Sequence, residues 1–305
     1  MGENKKGRFQ SHLDEVLKTI KLREVEERYD IYFSRFYGLY FAKLGKWLGM
    51  TPTHISLMSL LVGIVGGALL YFQDSIEITL VGGFLVTLAG VLDSSDGQLA
   101  RMTGQSSELG RIIDGLIDNL VFISCYLGGA LYFFPNYGWW IMALAVAAGY
   151  AHSFKAALYE FYKSEFLFLV GRAEAGYIPT DITAIKRSGD KFHHRIMHKL
   201  YLDYTKKQLF YTTRTKEDRK GMQALSAADA NDFRNRYSKL NARLLFWWAW
   251  LCGSNTHRNA LIIAALFGRF DLYLWSSLIW TIGVWPVSLY QRKVDKKLLA
   301  EFDAF

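Results

Sequence analysis

Between Met50 and Gln73 the chain carries no Lys, Arg, Asp or Glu, and from Ser75 to Leu92 only Glu77 interrupts an apolar run. As helices, such stretches are long enough to cross about 30 Å of hydrocarbon. Similar stretches recur downstream, and the sequence predicts membrane-spanning helices over residues 55–72, 78–92, 112–134, 139–162, 255–267 and 272–290. The expected fold is therefore all-α and polytopic, with six transmembrane helices. The mean hydropathy of +0.08 averages these spans with a strongly charged remainder.

Where the charge lies decides what the net charge of +8 means. Of the 36 Lys and Arg residues, none falls between Lys46 and Arg101, and none between Arg111 and Lys155. With six spans, only Arg269 lies in an external loop, while both termini and the long basic segment share the cytoplasmic side. That is the positive-inside pattern, and it also favours anionic lipid at the same face. A nucleic-acid-binding protein would be basic without such spans, so no nucleic-acid partner is expected. Cys125 and Cys252 sit in apolar context and suggest neither a disulfide framework nor a zinc site. The charged first residues read as neither a signal peptide nor a myristoylation site.

Four regions follow. Residues 1–50 are cytoplasmic, and within them 30–48 interleave aromatics with Arg35, Lys43 and Lys46, a composition suited to an amphipathic helix lying in the membrane interface. Residues 51–162 hold the first four spans; Thr51-Pro52-Thr53 is a helix-start signal, and Pro135-Asn136-Tyr137 is predicted to turn the chain. Residues 163–243 carry 17 Lys/Arg against 9 Asp/Glu and read as a cytoplasmic, mostly helical insertion. Residues 244–305 hold two spans, with Asn255 or Thr256 as the expected cap of the fifth, and a basic tail.

The chemistry concentrates in residues 93–118, DSSDGQLARMTGQSSELGRIIDGLID. Continued as a helix, Asp93, Asp96, Gly97, Ala100 and Arg101 share one face; Gly110, Asp114 and Asp118 share a face of the next helix. The intervening residues let the second helix fold back, so four carboxylates converge near the cytoplasmic ends of two helices. Such a cluster at a membrane boundary costs several kcal/mol to desolvate unless something positive neutralises it. Oxygen donors without nearby His or Cys favour two Mg²⁺ or Mn²⁺ ions over zinc. Gly97, Ala100 and Gly110 leave room beside the backbone for a flat or phosphorylated ligand, and Arg101 is a natural phosphate clamp.

The segment resembles the signature of the CDP-alcohol phosphotransferases, D-x2-D-G-x2-A-R-x8-G-x3-D-x3-D, at all eight fixed positions. The resemblance extends over about residues 30–162 and 244–292. It implies a phospholipid-biosynthetic membrane enzyme that moves a substituted phosphate from a CDP-linked donor to an alcohol and releases CMP, with at least one substrate a lipid. It further implies Asp93, Asp96 and Asp114 as metal ligands, and Asp118 as both metal ligand and the base that deprotonates the acceptor hydroxyl. Gly97, Ala100, Arg101 and Gly110 then form the CDP pocket, joined by Thr53 and Ser56 beside Pro52. A homodimer is also implied.

Lys155, His257 and Arg258 are candidates for binding the acceptor's phosphate, weighed against simple interfacial snorkelling. His194 and His198 lie in a solvated basic run and read as surface residues. A cation transporter would place its aspartates near the midplane between internal repeats, and neither feature is evident here. A non-catalytic scaffold is the other alternative, but no signature position is degraded. Two substrate pairings stay open: a CDP-diacylglycerol-type donor with an inositol-phosphate-type acceptor, or a CDP-headgroup donor with a lipid acceptor.

Overall fold

The computed structural model describes residues 7–20, 22–105, 108–170, 192–227 and 231–302, without the side chains of 108–114, 192–194, 196, 197, 200, 201, 204, 207, 226 and 227. Among the described residues the chain is all-helical. Helix α1 (Arg8–Lys18) precedes a π-helical turn at Asp30–Ser34 that runs into α2 (Arg35–Trp47). Then come α3 (Pro52–Leu69), α4 (Ile76–Thr103), α5 (Glu108–Tyr137), α6 (Trp139–Leu169), α7 (Phe192–Tyr211) and α8 (Lys216–Ala227). Helices α9 (Asn231–Cys252), α10 (Ser254–Leu266), α11 (Phe270–Ile282) and α12 (Val284–Phe302) complete the chain.

Five stretches are long and apolar enough to cross a membrane among the described residues: Pro52–Leu69, Ile76–Thr103, Gly115–Tyr137, Trp139–Leu169 and Phe270–Phe302. This is an integral membrane protein. The expected fifth span corresponds to α10, whose 13 residues reach only about 20 Å. Helix α10 also begins at Ser254, placing Asn255 and Thr256 inside it rather than at its cap. Pro135 does not turn the chain. It sits in the last turn of α5, and the reversal falls at Gly138, whose φ of +55° suits a residue without a Cβ.

The chain divides into two units, residues 1–149 with 258–274, and residues 150–257 with 275–305. In the first, α3 packs against α4 and α5, and α2 against α4. Thr51 caps α3 by accepting from the His54 amide at 3.4 Å, while His54 Nδ1 accepts from the Thr51 amide at 3.2 Å. The helices approach closely where side chains vanish. A Cβ on Gly66 would lie 2.8 Å from Val86 N, and one on Gly67 2.7 Å from Cys125 N. Ser59 Oγ donates to the Ala89 carbonyl at 2.8 Å and Ser124 Oγ to the Ile64 carbonyl at 2.8 Å. Without a hydrophobic force between helices in lipid, such close contacts and hydroxyl bonds hold the bundle. Ala42, Ile55, Leu92 and Leu99 form a core cluster in which α2, α3 and α4 meet.

Helix α1 docks on α2 through His12, whose Nε2 donates to the Phe36 carbonyl at 2.8 Å and whose ring stacks on Tyr40 at 4.3 Å. Lys43 donates to Glu15 at 2.6 Å, a bond that holds the Glu15 carboxyl below its ordinary range.

The second unit is organised around Arg214. Its guanidinium donates to both oxygens of Asp295 at 2.8 Å and pairs with Glu165. Tyr237 donates to Glu165 at 2.8 Å, and Gln291 Nε2 donates to Asp295 and Asn241, each at 2.8 Å. Arg214, Glu165, Asp295, Tyr237 and Gln291 are all buried. Burial would lower the Arg214 pKa, but Asp295, Tyr237 and Tyr162 together raise it above its ordinary value. Burial pushes the Tyr237 hydroxyl up to about 12, with Asp295 adding to it and Arg214 opposing. One charged network thus joins α6, the 212–215 turn, α9 and α12.

Candidate active site

Helix α4 runs unbroken past the apolar segment to Thr103, a length of 28 residues or about 42 Å, and so carries the aspartates on the same rod as the span. Gly104, at φ +69°, closes it in the left-handed conformation, and α5 returns the chain. Asp93, Asp96, Gly97, Ala100 and Arg101 therefore lie on one helix, as their spacing requires. Gly110, Asp114 and Asp118 lie on α5. The side chain of Asp114 and the surroundings of Gly110 fall outside the described residues.

Asp96 is buried at 6% exposure, with Asp93 and Asp118 half-buried and both within electrostatic reach of it. Ser56 Oγ lies 2.5 Å from Asp96 Oδ2 and 3.1 Å from the Pro52 carbonyl. The Ser56 hydroxyl thus faces the carboxylate. Thr53, one turn earlier, is exposed. Asp118 Oδ1 stands 3.6 Å from Arg258 of α10. The Arg258 guanidinium occupies the space where a Gly90 side chain would project, and it lies 5.8 Å from the Phe122 ring centroid. Gly90 of α4 thereby leaves room for a cation beside Asp118.

The N-terminal segment adds charges that the sequence did not reveal as part of the site. Arg35 donates to Glu26 at 3.0 Å. Burial would lower its pKa, but Glu26, Asp30 and Asp93 together raise it. Asp30 is also within electrostatic reach of Asp118. Gln98, fully buried on α4, donates to Thr19 Oγ1 at 2.9 Å and to the Arg35 carbonyl at 3.1 Å. Only the aromatic-basic pattern of 30–48 hinted at this segment. Its contacts with α4 span some 60 to 80 residues and have no local signal.

Lys155 and His257 belong to the second unit. Lys155 Nζ, fully buried, donates to the Ser277 carbonyl at 2.9 Å, and the His257 ring stacks on His152 at 4.4 Å. Arg258 alone of the three acceptor candidates is brought to the aspartates within the first unit.

Oxygen donors dominate the cluster, and this donor chemistry fits hard divalent cations. A Cβ on Gly97 would meet nothing nearer than the Arg101 guanidinium at 3.5 Å, so the α4 face between Asp93 and Arg101 is open for a ligand. Among the described residues no three His, Cys, Asp or Glu side chains converge on a common point.

Residues 49–161, from α3 to most of α6, match the family model of the CDP-alcohol phosphatidyltransferases. An archaetidylinositol phosphate synthase from Pyrococcus horikoshii is 33% identical over 84 residues. That alignment covers 28% of this chain and 43% of the relative, so the chain spans less than half the length of the curated relative it matches.

Proposed function

We propose that the chain is a metal-dependent CDP-alcohol phosphotransferase of phospholipid biosynthesis. The observation that supports this reading is that Asp93 and Asp118 both lie within electrostatic reach of buried Asp96, with Ser56 bonded to Asp96 and Arg258 paired to Asp118. Asp93, Asp96, Asp114 and Asp118 would hold two Mg²⁺ or Mn²⁺ ions. When bound, these ions supply charge neutralisation at the attacking and leaving oxygens of a phosphoryl transfer. Gly97, Ala100, Arg101 and Gly110 cradle the CDP moiety, with Thr53 at the mouth. Asp118 takes the proton of the acceptor hydroxyl, the acceptor oxygen attacks the phosphorus on the alcohol side of the diphosphate, and CMP departs. Ser56 and Arg258 keep two of the carboxylates in register during this step.

Of the two substrate pairings, a CDP-linked lipid donor with an inositol-phosphate acceptor is favoured, because the relative is named an archaetidylinositol phosphate synthase. Purified protein should release CMP from a CDP-linked lipid in the presence of inositol phosphate. Release only with a CDP-headgroup donor would reverse the pairing, and release with no donor-acceptor pair would end the reading.

The charge distribution supports a site on the cytoplasmic face and a sixth crossing. That crossing would lie over α10, where the sequence places the fifth span. Exposed Tyr37, Tyr40, Leu44 and Trp47 suit α2 to the membrane interface. A cysteine at Ser75 or Asn136 should be labelled only from outside, and one at Lys220 only from inside; labelling of position 220 from outside would overturn the topology. A homodimer follows from the family resemblance and is checked by the mass of the detergent-solubilised protein.

A further inference from the structure

Helices α9 and α12 of the second unit run antiparallel: Arg236 pairs with Glu301, while Asn241 and Trp248 both bond to Gln291. Each helix changes character along its length. Helix α9 carries Arg234, Arg236, Lys239 and Arg243 up to its middle, and the part beyond is rich in Trp. Helix α12 opens with Val284, Trp285, Pro286 and Val287, then carries Arg292, Lys293, Lys296 and Lys297. Antiparallel packing sets cationic half beside cationic half and aromatic half beside aromatic half. Of the acids in these cationic halves, Asp295 is bonded to Arg214 and Glu301 to Arg236, which leaves Asp232.

At the junction of the two halves lies a groove of about 370 Å³. Leu240, Leu244, Trp247, Val287 and Tyr290 line it, with Arg243 as its charged group. Leu244 forms a buried floor, while Trp247 and Tyr290 stand exposed at the rim. We propose that this groove binds a phospholipid with a net anionic headgroup, its acyl chain along Leu244, Trp247 and Val287 and its phosphate at Arg243.

Charge and polarity choose that occupant. A water-soluble anion has no use for the apolar floor, and an apolar partner has none for the cations. A zwitterionic lipid brings a cationic group toward a cationic surface. A second copy of the chain docked here about a two-fold axis would oppose two cationic halves, which costs affinity. An anionic lipid satisfies both ends at the boundary where Trp and Arg ordinarily meet headgroups. The inference does not depend on the phosphotransferase reading, because its readout is lipid occupancy.

The test uses the full chain in nanodiscs of zwitterionic lipid, doped with brominated phosphatidylglycerol or brominated phosphatidylcholine. The fluorescence difference between wild type and Trp247→Phe isolates the Trp247 signal. The anionic lipid should quench it at about five-fold lower mole fraction, the preference expected for one well-placed cation. Added salt should erode that preference in the wild type, which needs no further variant. Arg243→Gln should abolish it, and Arg269→Gln should leave it intact. Equal quenching by both lipids, or a preference retained in Arg243→Gln, overturns the proposal. So does a Trp247 shielded from both lipids in a particle whose mass is that of a dimer, which would assign the groove to a second copy.

Discussion

Ser56 on α3 and Asp96 on α4 face each other across 2.5 Å, with both side chains buried. They are 40 residues apart in sequence, and the bond ties the beginning of one helix to the carboxylate-bearing stretch of another. A hydroxyl donating to an ionised carboxylate is worth about 1.5–3 kcal/mol. Ser56→Ala should therefore lower kcat/KM by about 10- to 100-fold with the fold intact, and Ser56→Thr should restore part of it. If Ser56 positions Asp96, the metal concentration for half activity should rise in Ser56→Ala. If Ser56 instead touches the nucleotide, donor KM should rise at unchanged metal demand.

Metal removal tests the same carboxylates from another side. EDTA should abolish CMP release, and Mg²⁺ or Mn²⁺ should restore it, because Asp93 and Asp118 both act on buried Asp96 and like charges so placed favour a bound cation. Arg258 and Arg35 are each already engaged with a carboxylate. Full activity in chelator would sink the two-metal reading.

The shared face of Asp93, Asp96, Gly97, Ala100 and Arg101 was legible in the sequence because a helix converts i, i+3, i+4 spacing into one face, and α4 is a continuous helix over that stretch. The spans were legible as gaps in charge, but charge marks where lipid ends, not where a helix ends. Residues 78–92 were therefore the apolar part of a longer α4, and 139–162 of a longer α6. Helix α10 shows the converse: only its second half is apolar, and Gly253 before it and Gly268 after it cut the rod short. Arg35, Asp30 and Gln98 were not legible, since each joins the site through contacts between distant segments. The same holds for Arg214, which in sequence is one cation among many in a basic run.

The Arg214 network makes a prediction about stability. Removing the guanidinium leaves Glu165 and Asp295 buried without their cation, a change that typically costs about 3–5 kcal/mol. Arg214→Met should lower the thermal midpoint strongly, whereas replacing exposed Lys216 should not. A wild-type midpoint in Arg214→Met would show that the network contributes nothing to the stability of the second unit.

Tyr237 in that network gives a pH signature. Its pKa in the folded protein, about 12, exceeds the ordinary value of 10, chiefly because burial disfavours the phenolate. A folded-state pKa raised in this way contributes stability that is full below pH 10 and lost as pH climbs towards 12. The loss is on the order of 2–3 kcal/mol. Wild type should therefore lose stability more steeply between about pH 10 and 12, the window between the two pKa values, than Tyr237→Phe does. Parallel curves for the two proteins would show that the Tyr237 proton is not held by the fold.

Asp118 separates base from metal cage. It lies one turn beyond Asp114 on α5, and its neighbour is the Arg258 guanidinium at 3.6 Å, where Asp96 has the Ser56 hydroxyl. Asp118→Asn keeps the shape and the bonding capacity but cannot accept a proton at neutral pH. Loss of a general base typically costs about 10²–10⁴-fold in rate. Turnover should fall by that factor, while affinity for the CDP-linked donor stays within a few-fold of wild type. Asp93→Asn should lose donor and metal binding together. Arg258→Lys keeps the charge but not the planar fork, so it should lower kcat with little change in donor binding; Arg258→Gln should lower it further. Donor binding and CMP release are to be measured on the same preparations. If Asp118→Asn loses donor binding as badly as Asp93→Asn, Asp118 acts as a metal ligand. The acceptor's proton must then leave by another route, for which Asp30, within electrostatic reach of Asp118, is the carboxylate to test.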